Sequence, residues 1–132
     1  MNSPQSMIKR ISFALLVVFY FTAGMNHFRD PEFYLKLIPP YLPYHNWINI
    51  LAGIVEIGFS ILLINVKTRN WAVYGIVAML IAFIPSHIYA VGLDEFWFGS
   101  VLVPNSIIWA RLLIIHPLLI IWVYLHKVPK KN

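Results

Sequence analysis

Hydrophobic residues along this chain fall into four long runs separated by short polar segments. A helix needs about 20 mostly apolar residues to cross a hydrocarbon core of roughly 30 Å. We predict four such helices, at about 11–28, 47–66, 71–93 and 107–125. Helices are favoured because every backbone N–H and C=O must find a partner inside lipid. The pattern therefore predicts an all-α fold, a bundle of four transmembrane helices that forms a single domain over residues 1–132.

The connection between the first two predicted helices contains a signal for a further, short helix. Asp30-Pro31-Glu32 supplies a capping side chain, a proline at the first helical position and an acid at the positive end of the helix dipole. Pro39-Pro40 would stop this helix. Because the residues between are apolar and aromatic, we predict a short interfacial helix in the first outer loop. The second outer loop, from Asp94 to Asn105, is aromatic and contains glycine.

The composition excludes several classes of protein. The chain is 60% hydrophobic and only 11% charged, whereas a typical soluble domain has roughly 25% charged residues. So few charges cannot cover a surface that faces water, which excludes a soluble enzyme, a disordered chain and a nucleic-acid-binding protein. The sequence has no cysteine. Disulfides, thiolate nucleophiles and cysteine-bound metals are therefore excluded within this chain.

The distribution of basic residues predicts an orientation in the membrane. Both terminal tails and the connection between the second and third helices hold seven of the ten basic residues and no acid: Lys9, Arg10, Lys67, Arg69, Lys127, Lys130 and Lys131. The other two connections together hold two basic and four acidic residues: Arg29, Lys36, Asp30, Glu32, Asp94 and Glu95. The positive-inside rule places both termini in the cytoplasm. We therefore predict a multi-pass protein of the cell (cytoplasmic) membrane that has the lipid bilayer, and no nucleic acid, as its partner.

Two charged residues lie inside the predicted spans, where each charge costs about 2.5–3.5 kcal/mol to insert. Glu56 lies in the second span and Arg111 in the fourth. Asn49, Gly53, Glu56 and Ser60 follow spacings that place them on one face of a helix, which we predict to face the bundle. Because an arginine side chain is long, we predict that Glu56 and Arg111 form an ion pair.

The third predicted span carries a different pattern. Ala78, Ala82, Ser86 and Ala90 recur every four residues, which predicts close helix packing through small side chains. Pro85 lacks an N–H donor and predicts a kink in this helix.

Further polar residues are predicted on the outer side of the membrane, around the ion pair. Together they form a predicted intramembrane polar cluster of Asn26, His27, Glu56, His87, Asn105 and Arg111. His27, His87 and Glu56 could supply two histidines and one carboxylate to a metal. We predict no metal site, because no histidine pair has a spacing that is diagnostic of metal binding. His116 is predicted to lie apart from the cluster, well round the fourth helix.

The polar cluster is open to two interpretations. A buried ion pair can be architectural and fix the order and register of the helices. Intramembrane charges can also line a site for a substrate, a quinone or protons. No nucleophile elbow and no glycine-rich phosphate loop occurs in the sequence. The sequence therefore leaves open whether the chain is itself an enzyme, and it leaves the catalytic residues unassigned.

Several short motifs match a known family when they are taken in order. They are Ala23-Gly24-Met25-Asn26-His27-Phe28, Pro39-Pro40-Tyr41-Leu42-Pro43, Gly53-Ile54-Val55-Glu56 and Trp109-Ala110-Arg111-Leu112. With these motifs the sequence resembles the DoxX family of small four-helix membrane proteins, from Ile11 to Tyr124. The resemblance implies a four-helix bundle of the bacterial cytoplasmic membrane. It also implies that His27, Glu56 and Arg111 are signature positions.

The sequence departs from that family at one point. After Arg111-Leu112 it continues Leu113-Ile114-Ile115-His116, where many relatives have a proline and a glutamine. The absence of cysteine also argues against the dithiol chemistry of the family members that act in maturation.

The resemblance implies a function in redox metabolism. Members of the family are linked to a thiosulfate:quinone oxidoreductase, to maturation of methylamine dehydrogenase, to oxidative-stress enzymes or to membrane-protein assembly. We therefore expect a small membrane subunit or accessory factor of a quinone-linked or oxidative-stress system, with a quinone as ligand and a membrane or peripheral redox protein as partner. The alternatives are an assembly or scaffold factor without catalysis and a small transporter. A transporter would require a homo-oligomer, because four helices without an inverted repeat are few for alternating access.

Overall fold

A computed structural model describes residues 3–130. It contains four helical segments that are long and apolar enough to span a membrane: Pro4–Arg29, His45–Ile64, Arg69–Val91 and Asn105–Tyr124. These segments confirm the four helices that the hydrophobic runs predicted. Lys131, which we counted in the basic C-terminal tail, lies outside the described residues.

The first helix begins earlier than its hydrophobic run predicted. It starts at Pro4 instead of Ile11, because a local capping arrangement extends it beyond the apolar residues. The side chain of Ser3 accepts a hydrogen bond from the Ser6 N–H at 3.2 Å. Pro4 occupies the first helical position, where its missing N–H costs nothing.

The helical elements are named in chain order. They are α1 (Pro4–Arg29), α2 (Pro31–Leu35), α3 (His45–Ile64), α4 (Arg69–Ala82), α5 (Ile84–Val91), α6 (Asn105–Ala110) and α7 (His116–Tyr124). Together α4 and α5 form the third span, and α6 and α7 form the fourth. We call the end of the bundle that holds α2 the loop end. The opposite end, at which α1 begins and α7 finishes, is the terminal end.

Prolines interrupt both of the last two spans. The third span breaks at Phe83, between α4 and α5, as Pro85 predicted. In the fourth span a π-helical turn, Arg111–Ile115, separates α6 from α7. There the His116 N–H donates to the Arg111 carbonyl, five residues back. Pro117 follows and cannot donate to the preceding turn, which is a common cause of such irregular helical bonding.

The predicted short helix exists, but its predicted cap does not. Helix α2 begins at Pro31 and ends at Leu35. Asp30 makes no capping hydrogen bond with its side chain. Its backbone N–H donates instead to the Asn26 carbonyl at 2.9 Å, which continues the bonding of α1. The prediction that the Asp30 side chain caps α2 was therefore wrong. Asp30 belongs to the end of α1 as much as to the start of α2.

The all-α prediction needs one correction in the second loop. Strands β1 (Trp97–Phe98) and β2 (Val101–Leu102) pair in an antiparallel ribbon in which Phe98 lies opposite Val101. Gly99 has a φ of 60°, and among the described residues the other positive φ belongs to Tyr44. A positive φ at the first of two turn residues is the pattern of a type II′ hairpin turn. The Gly99-Ser100 dipeptide was the signal that the sequence analysis missed.

The polar stripe of the second span faces the bundle, as predicted. Asn49, Gly53, Glu56 and Ser60 are all buried. The hydrophobic core lies from the middle of the bundle toward its terminal end and contains Leu16, Tyr20, Leu63, Ala72, Val73, Ile76, Met79, Leu80 and Val123. The polar stripe therefore occupies the loop half of the bundle and the apolar core the other half.

The small-residue stripe predicted in the third span is not its packing face. Ala78 and Ala82 are exposed, although Ala90 is buried. The buried face of α4 consists mainly of larger side chains, including Val73 and Ile76. The prediction failed because a spacing of four fixes a face of the helix but does not say which neighbour the face meets.

The closest helix approach lies instead between α1 and α3. A Cβ atom added to Gly24 would lie 2.9 Å from the Gly53 carbonyl oxygen. One added to Gly53 would lie 2.9 Å from the His27 Cβ and 3.0 Å from the Gly24 carbonyl oxygen. Both glycines are therefore required by the distance between the two backbones, as in other close crossings through small residues.

This crossing predicts that Gly53→Ala lowers the free energy of unfolding by about 1–3 kcal/mol, the usual cost of overpacking. Gly58→Ala is the matched control in the same helix, since an added Cβ there would meet nothing within 4 Å. It should leave stability unchanged or raise it by up to ~1 kcal/mol through helix propensity. Thermal unfolding in detergent micelles measures both variants. Equal stability of the two would contradict the close crossing.

Candidate functional site

Two hydrogen bonds between His27 and Asn49 join α1 to α3 at the candidate site. The His27 Nδ1 atom lies 2.7 Å from the Asn49 Oδ1 atom. The Asn49 side-chain nitrogen donates to the backbone carbonyl of His27 at 3.0 Å. Both residues are buried. The asparagine therefore fixes the position of the histidine main chain and the orientation of its ring.

These bonds also determine which histidine nitrogen carries a proton. Since the Asn49 nitrogen is the donor to the His27 carbonyl, its Oδ1 atom is an acceptor. The His27 Nδ1 atom must then be the donor in the 2.7 Å bond. The second ring nitrogen, Nε2, is left to face another residue, an arrangement typical of histidines that exchange protons.

That other residue is Glu56. The His27 Nε2 atom lies 3.5 Å from the Glu56 Oε2 atom. Helical side chains lean toward the N-terminus of their helix, so Glu56 points to the loop end and His27 points down into the bundle. The antiparallel directions of α1 and α3 therefore bring the two side chains together. A proton on either atom makes this contact attractive, since two lone pairs would repel each other.

The carboxylate and a neighbouring hydroxyl keep unused hydrogen-bonding capacity. Glu56 is 6% exposed and Tyr20 is 1% exposed. Neither the Glu56 Oε2 atom nor the Tyr20 hydroxyl has a hydrogen-bond partner among residues 3–130. Glu56 is close enough to act electrostatically on Tyr20. Buried polar atoms are nearly always hydrogen-bonded, so two such atoms without a partner in one part of the bundle are unusual.

The predicted ion pair between Glu56 and Arg111 is not formed. Within the described part of the chain, the ionic contact of Glu56 is with His27. Arg111 is exposed at the start of the π-helical turn, yet it still acts electrostatically on Glu56. Two features explain the failure. The fourth span packs mainly against the third span, and the Cα–Cβ bond of Arg111 leans toward the loop end, away from the depth of Glu56.

Helix α2 covers the histidine. The rings of Tyr34 and His27 are stacked, with centroids 3.8 Å apart and an interplanar angle of 24°. Burial raises the pKa of the Tyr34 hydroxyl, and the Glu56 carboxylate raises it further, whereas Arg111 lowers it. Asn26 lies beside the same hydroxyl. Tyr34 therefore stacks on His27 and lies within electrostatic range of Glu56 and Arg111.

Aromatic contacts join α2 to the β-ribbon. The Phe33 ring packs edge-on against Phe96 and Phe98, with centroid distances of 5.5 and 5.1 Å. Phe33 also packs edge-on against Tyr34. We call these four residues the aromatic cap. It lies over the loop end of the bundle, above the contact between His27 and Glu56.

The structure contains a second histidine pair, of which only one member, His87, was predicted as a site residue. His87 does not join His27 but meets His116, with ring centroids 4.7 Å apart. The Nε2 atom of His116 donates to the Leu80 carbonyl at 2.5 Å, beside the break in the third span. His116 is buried, contrary to its predicted separation from the other polar residues. Pro85 and Pro117 indicated irregular backbone in both spans, but no pattern in the sequence indicated that His116 meets the Leu80 carbonyl.

The remaining predicted site residue stays outside these contacts. Asn105 begins the fourth span, as predicted, but it is exposed. It makes no side-chain hydrogen bond among the described residues. Over residues 3–130 the structure also brings together no group of three or more side chains suited to a metal. Of the six predicted residues, His27 and Glu56 are in contact and Asn26 lies beside Tyr34, whereas His87 pairs with His116 and both Arg111 and Asn105 are exposed.

A separate polar network lies at the terminal end. Ser12 accepts a hydrogen bond from the Trp122 indole nitrogen at 2.9 Å, and its hydroxyl lies 2.9 Å from the His126 Nε2 atom. Burial lowers the pKa of His126, and the charges of Lys9 and Arg69 lower it further. The neutral imidazole is therefore positioned to accept a hydrogen bond from the Ser12 hydroxyl. This network ties α1 to the end of the fourth span, with the apolar core between it and Glu56.

Comparison with known proteins identifies one matching family. A family model described as a domain of unknown function (DUF8561) matches residues 16–127. This range contains every residue of the site. Comparisons with curated proteins and with solved structures gave no match.

The hydrogen bonds at Asn49 predict that Asn49→Leu lowers the free energy of unfolding by about 1–3 kcal/mol, because it leaves buried partners on His27 unpaired. Asn46→Leu is the matched control, one turn earlier in α3 and exposed. Denaturant unfolding in detergent should show a loss for the first variant and little change for the second. A comparable loss in both would contradict the specific role of Asn49.

Proposed function

As this chain belongs to the DUF8561 family, whose function is undefined, we propose its role from the site itself. We propose a multi-pass protein of the cell membrane that serves as a small membrane subunit or accessory factor of a redox system. In this role the His27–Glu56 pair exchanges protons with a quinone. The observation that carries the proposal is the buried Glu56 oxygen, which contacts His27 at 3.5 Å and has no hydrogen-bond partner among the described residues.

The residues of the site fit such a ligand. A quinone, when bound, takes up two electrons and two protons and is reduced to a quinol. Glu56 Oε2 and His27 Nε2 lie 3.5 Å apart, so either atom can carry an exchangeable proton, and Asn49 keeps the imidazole in the tautomer that faces the acid. Arg111 supplies a positive charge that stabilises the Glu56 carboxylate when its proton leaves. Acid and imidazole side chains move protons, so in this proposal a partner redox protein supplies the electrons.

The position of the polar residues favours exchange with one side of the membrane. The acid–imidazole pair lies in the loop half, whereas Leu63, Ile76 and Val123 pack in the terminal half. A proton path across the bundle would have to pass through this apolar core. The arrangement therefore supports a one-sided site more than a transporter.

A second candidate function also has an observation in its favour. The double hydrogen bond between His27 and Asn49 lies next to the glycine crossing and fastens two helices together. An assembly or scaffold factor would need this fastening and no exchangeable proton. The resemblance to the DoxX family supports the redox role and stays a prediction.

Replacing the acid distinguishes these candidates. Glu56→Gln keeps the size of the side chain but removes its ionisable proton, so we expect folded yield to be retained. The affinity for a short-chain benzoquinone should fall about tenfold, as for the loss of a hydrogen bond to a charged group. Quenching of tryptophan fluorescence in purified protein measures this affinity. Glu32→Gln, at an exposed position in α2, is the control.

Two results would refute the redox role. One is the absence of saturable benzoquinone binding by the wild-type chain. The other is equal affinity in Glu56→Gln and wild type. If Glu56→Gln instead loses its folded yield and the wild type shows no binding, the pair acts in architecture and the scaffold candidate stands.

We further propose that both termini lie in the cytoplasm, so that the loop end faces outward. The chain contains no cysteine, which makes single-cysteine labelling unambiguous. Ser100→Cys in the β-ribbon should react with a membrane-impermeant maleimide in intact cells. Val66→Cys, exposed in the turn before α4, should react only after the cells are permeabilised. The reverse pattern would show that the positive-inside argument is wrong for this chain.

A further inference from the structure

The feature that the proposed redox role leaves unexplained is a cavity at the loop end. It has a volume of about 450 Å³ and lies between α2, the start of α3, the end of α5 and β1. Cavities of roughly 300–1,000 Å³ are typical of small-molecule sites. This cavity is lined by Leu35 at the end of α2 and by Lys36 and Ile38 in the turn that follows. Tyr34, which covers His27, is not among its lining residues.

The charged lining residues carry opposite signs. Lys36 contributes an ammonium group from the residue that follows α2, and Glu95 contributes a carboxylate from the residue pair before β1. The Glu95 carboxylate accepts a hydrogen bond from the Trp97 indole nitrogen at 3.1 Å, which orients it. The third ionisable residue, His45, uses its Nε2 atom on the Pro39 carbonyl. A ligand that matches one cation and one anion is itself a zwitterion, since a net charge would leave one of them unpaired.

The remaining walls define the ligand further. Tyr89, Phe96 and Trp97 line the cavity together with Glu95. Aromatic faces attract ammonium groups, and a carboxylate next to them strengthens this attraction. Ile38 and Leu93 supply apolar surface on the same cavity. The lining therefore fits a ligand in which a short alkyl chain joins an ammonium group to a phosphate, and in which an apolar chain extends from the phosphate.

The location of the cavity indicates which kind of molecule would carry these ammonium and phosphate groups. It lies where the second and third apolar spans reach the loop end, through His45 and Tyr89, at the level of lipid headgroups in a membrane that these spans cross. We propose that the cavity binds the headgroup of a zwitterionic phospholipid, with its phosphate at Lys36 and its ammonium at Glu95 and the surrounding aromatic rings. This inference rests on the membrane-spanning helices and is independent of the proposed redox role.

Lipid retention by the purified full chain tests the proposal. Protein in detergent micelles is mixed with equal amounts of phosphatidylethanolamine and phosphatidylglycerol, and bound lipid is counted by native mass spectrometry. The wild type should retain phosphatidylethanolamine about tenfold better. Lys36→Gln and Glu95→Gln should each lower the retention of phosphatidylethanolamine about tenfold, because each variant loses one charge-assisted contact. Glu32→Gln, on α2 but outside the cavity lining, should behave as wild type.

Three outcomes would overturn the inference. The first is equal retention of the two lipids by the wild type, which needs no variant and therefore holds even if a substitution impairs folding. The second is unchanged retention in both cavity variants. The third is displacement of the lipid by an equal concentration of soluble phosphoethanolamine, which would make the free zwitterion the ligand instead of a lipid.

Discussion

The close crossing of α1 and α3 at Gly24 and Gly53 is the constraint on which the rest of the loop end depends. Each glycine leaves room for the backbone of the other helix, with an added Cβ on either one falling within 3.0 Å of main-chain or side-chain atoms opposite. At that separation His27 can bond Asn49 and still contact Glu56. A wider crossing would leave a buried acid without its neighbour, at a cost that few membrane helices sustain.

The crossing also allows an architectural contact and the proposed proton exchange to involve the same residues. Asn49 holds His27 through two hydrogen bonds, which makes the contact architectural. The same bonds direct the free ring nitrogen at an acid whose oxygen is otherwise unsatisfied, which makes the contact suitable for proton exchange. A fixed imidazole tautomer is what a proton-exchanging site requires, so rigidity and chemistry are not in conflict here. In the proposed role, the apolar core in the terminal half would confine proton exchange to one side of the bundle.

Much of the fold was predictable because its signals are local. Each hydrophobic run became a helix, Pro85 marked a real break, and the spacing of Asn49 and Glu56 identified a buried face. The site was less predictable. His27 and Glu56 were both identified as site residues, but Glu56 was assigned the wrong partner. Arg111 was predicted as the partner of Glu56 because it carries a formal positive charge. The directions of the helices and the order in which they neighbour one another favour His27 instead.

The sequence by itself determined the number of spans, the short helix at Pro31 and the polar face of α3, because length, periodicity and the position of proline act over a few residues. Only the tertiary structure decided that His27 meets Glu56, that His116 serves the Leu80 carbonyl and that α2 packs on the β-ribbon through Phe33. These contacts join residues that are far apart in the chain. They depend on which helices are neighbours and on the direction in which each helix runs, and a pattern within one helix holds no information about either.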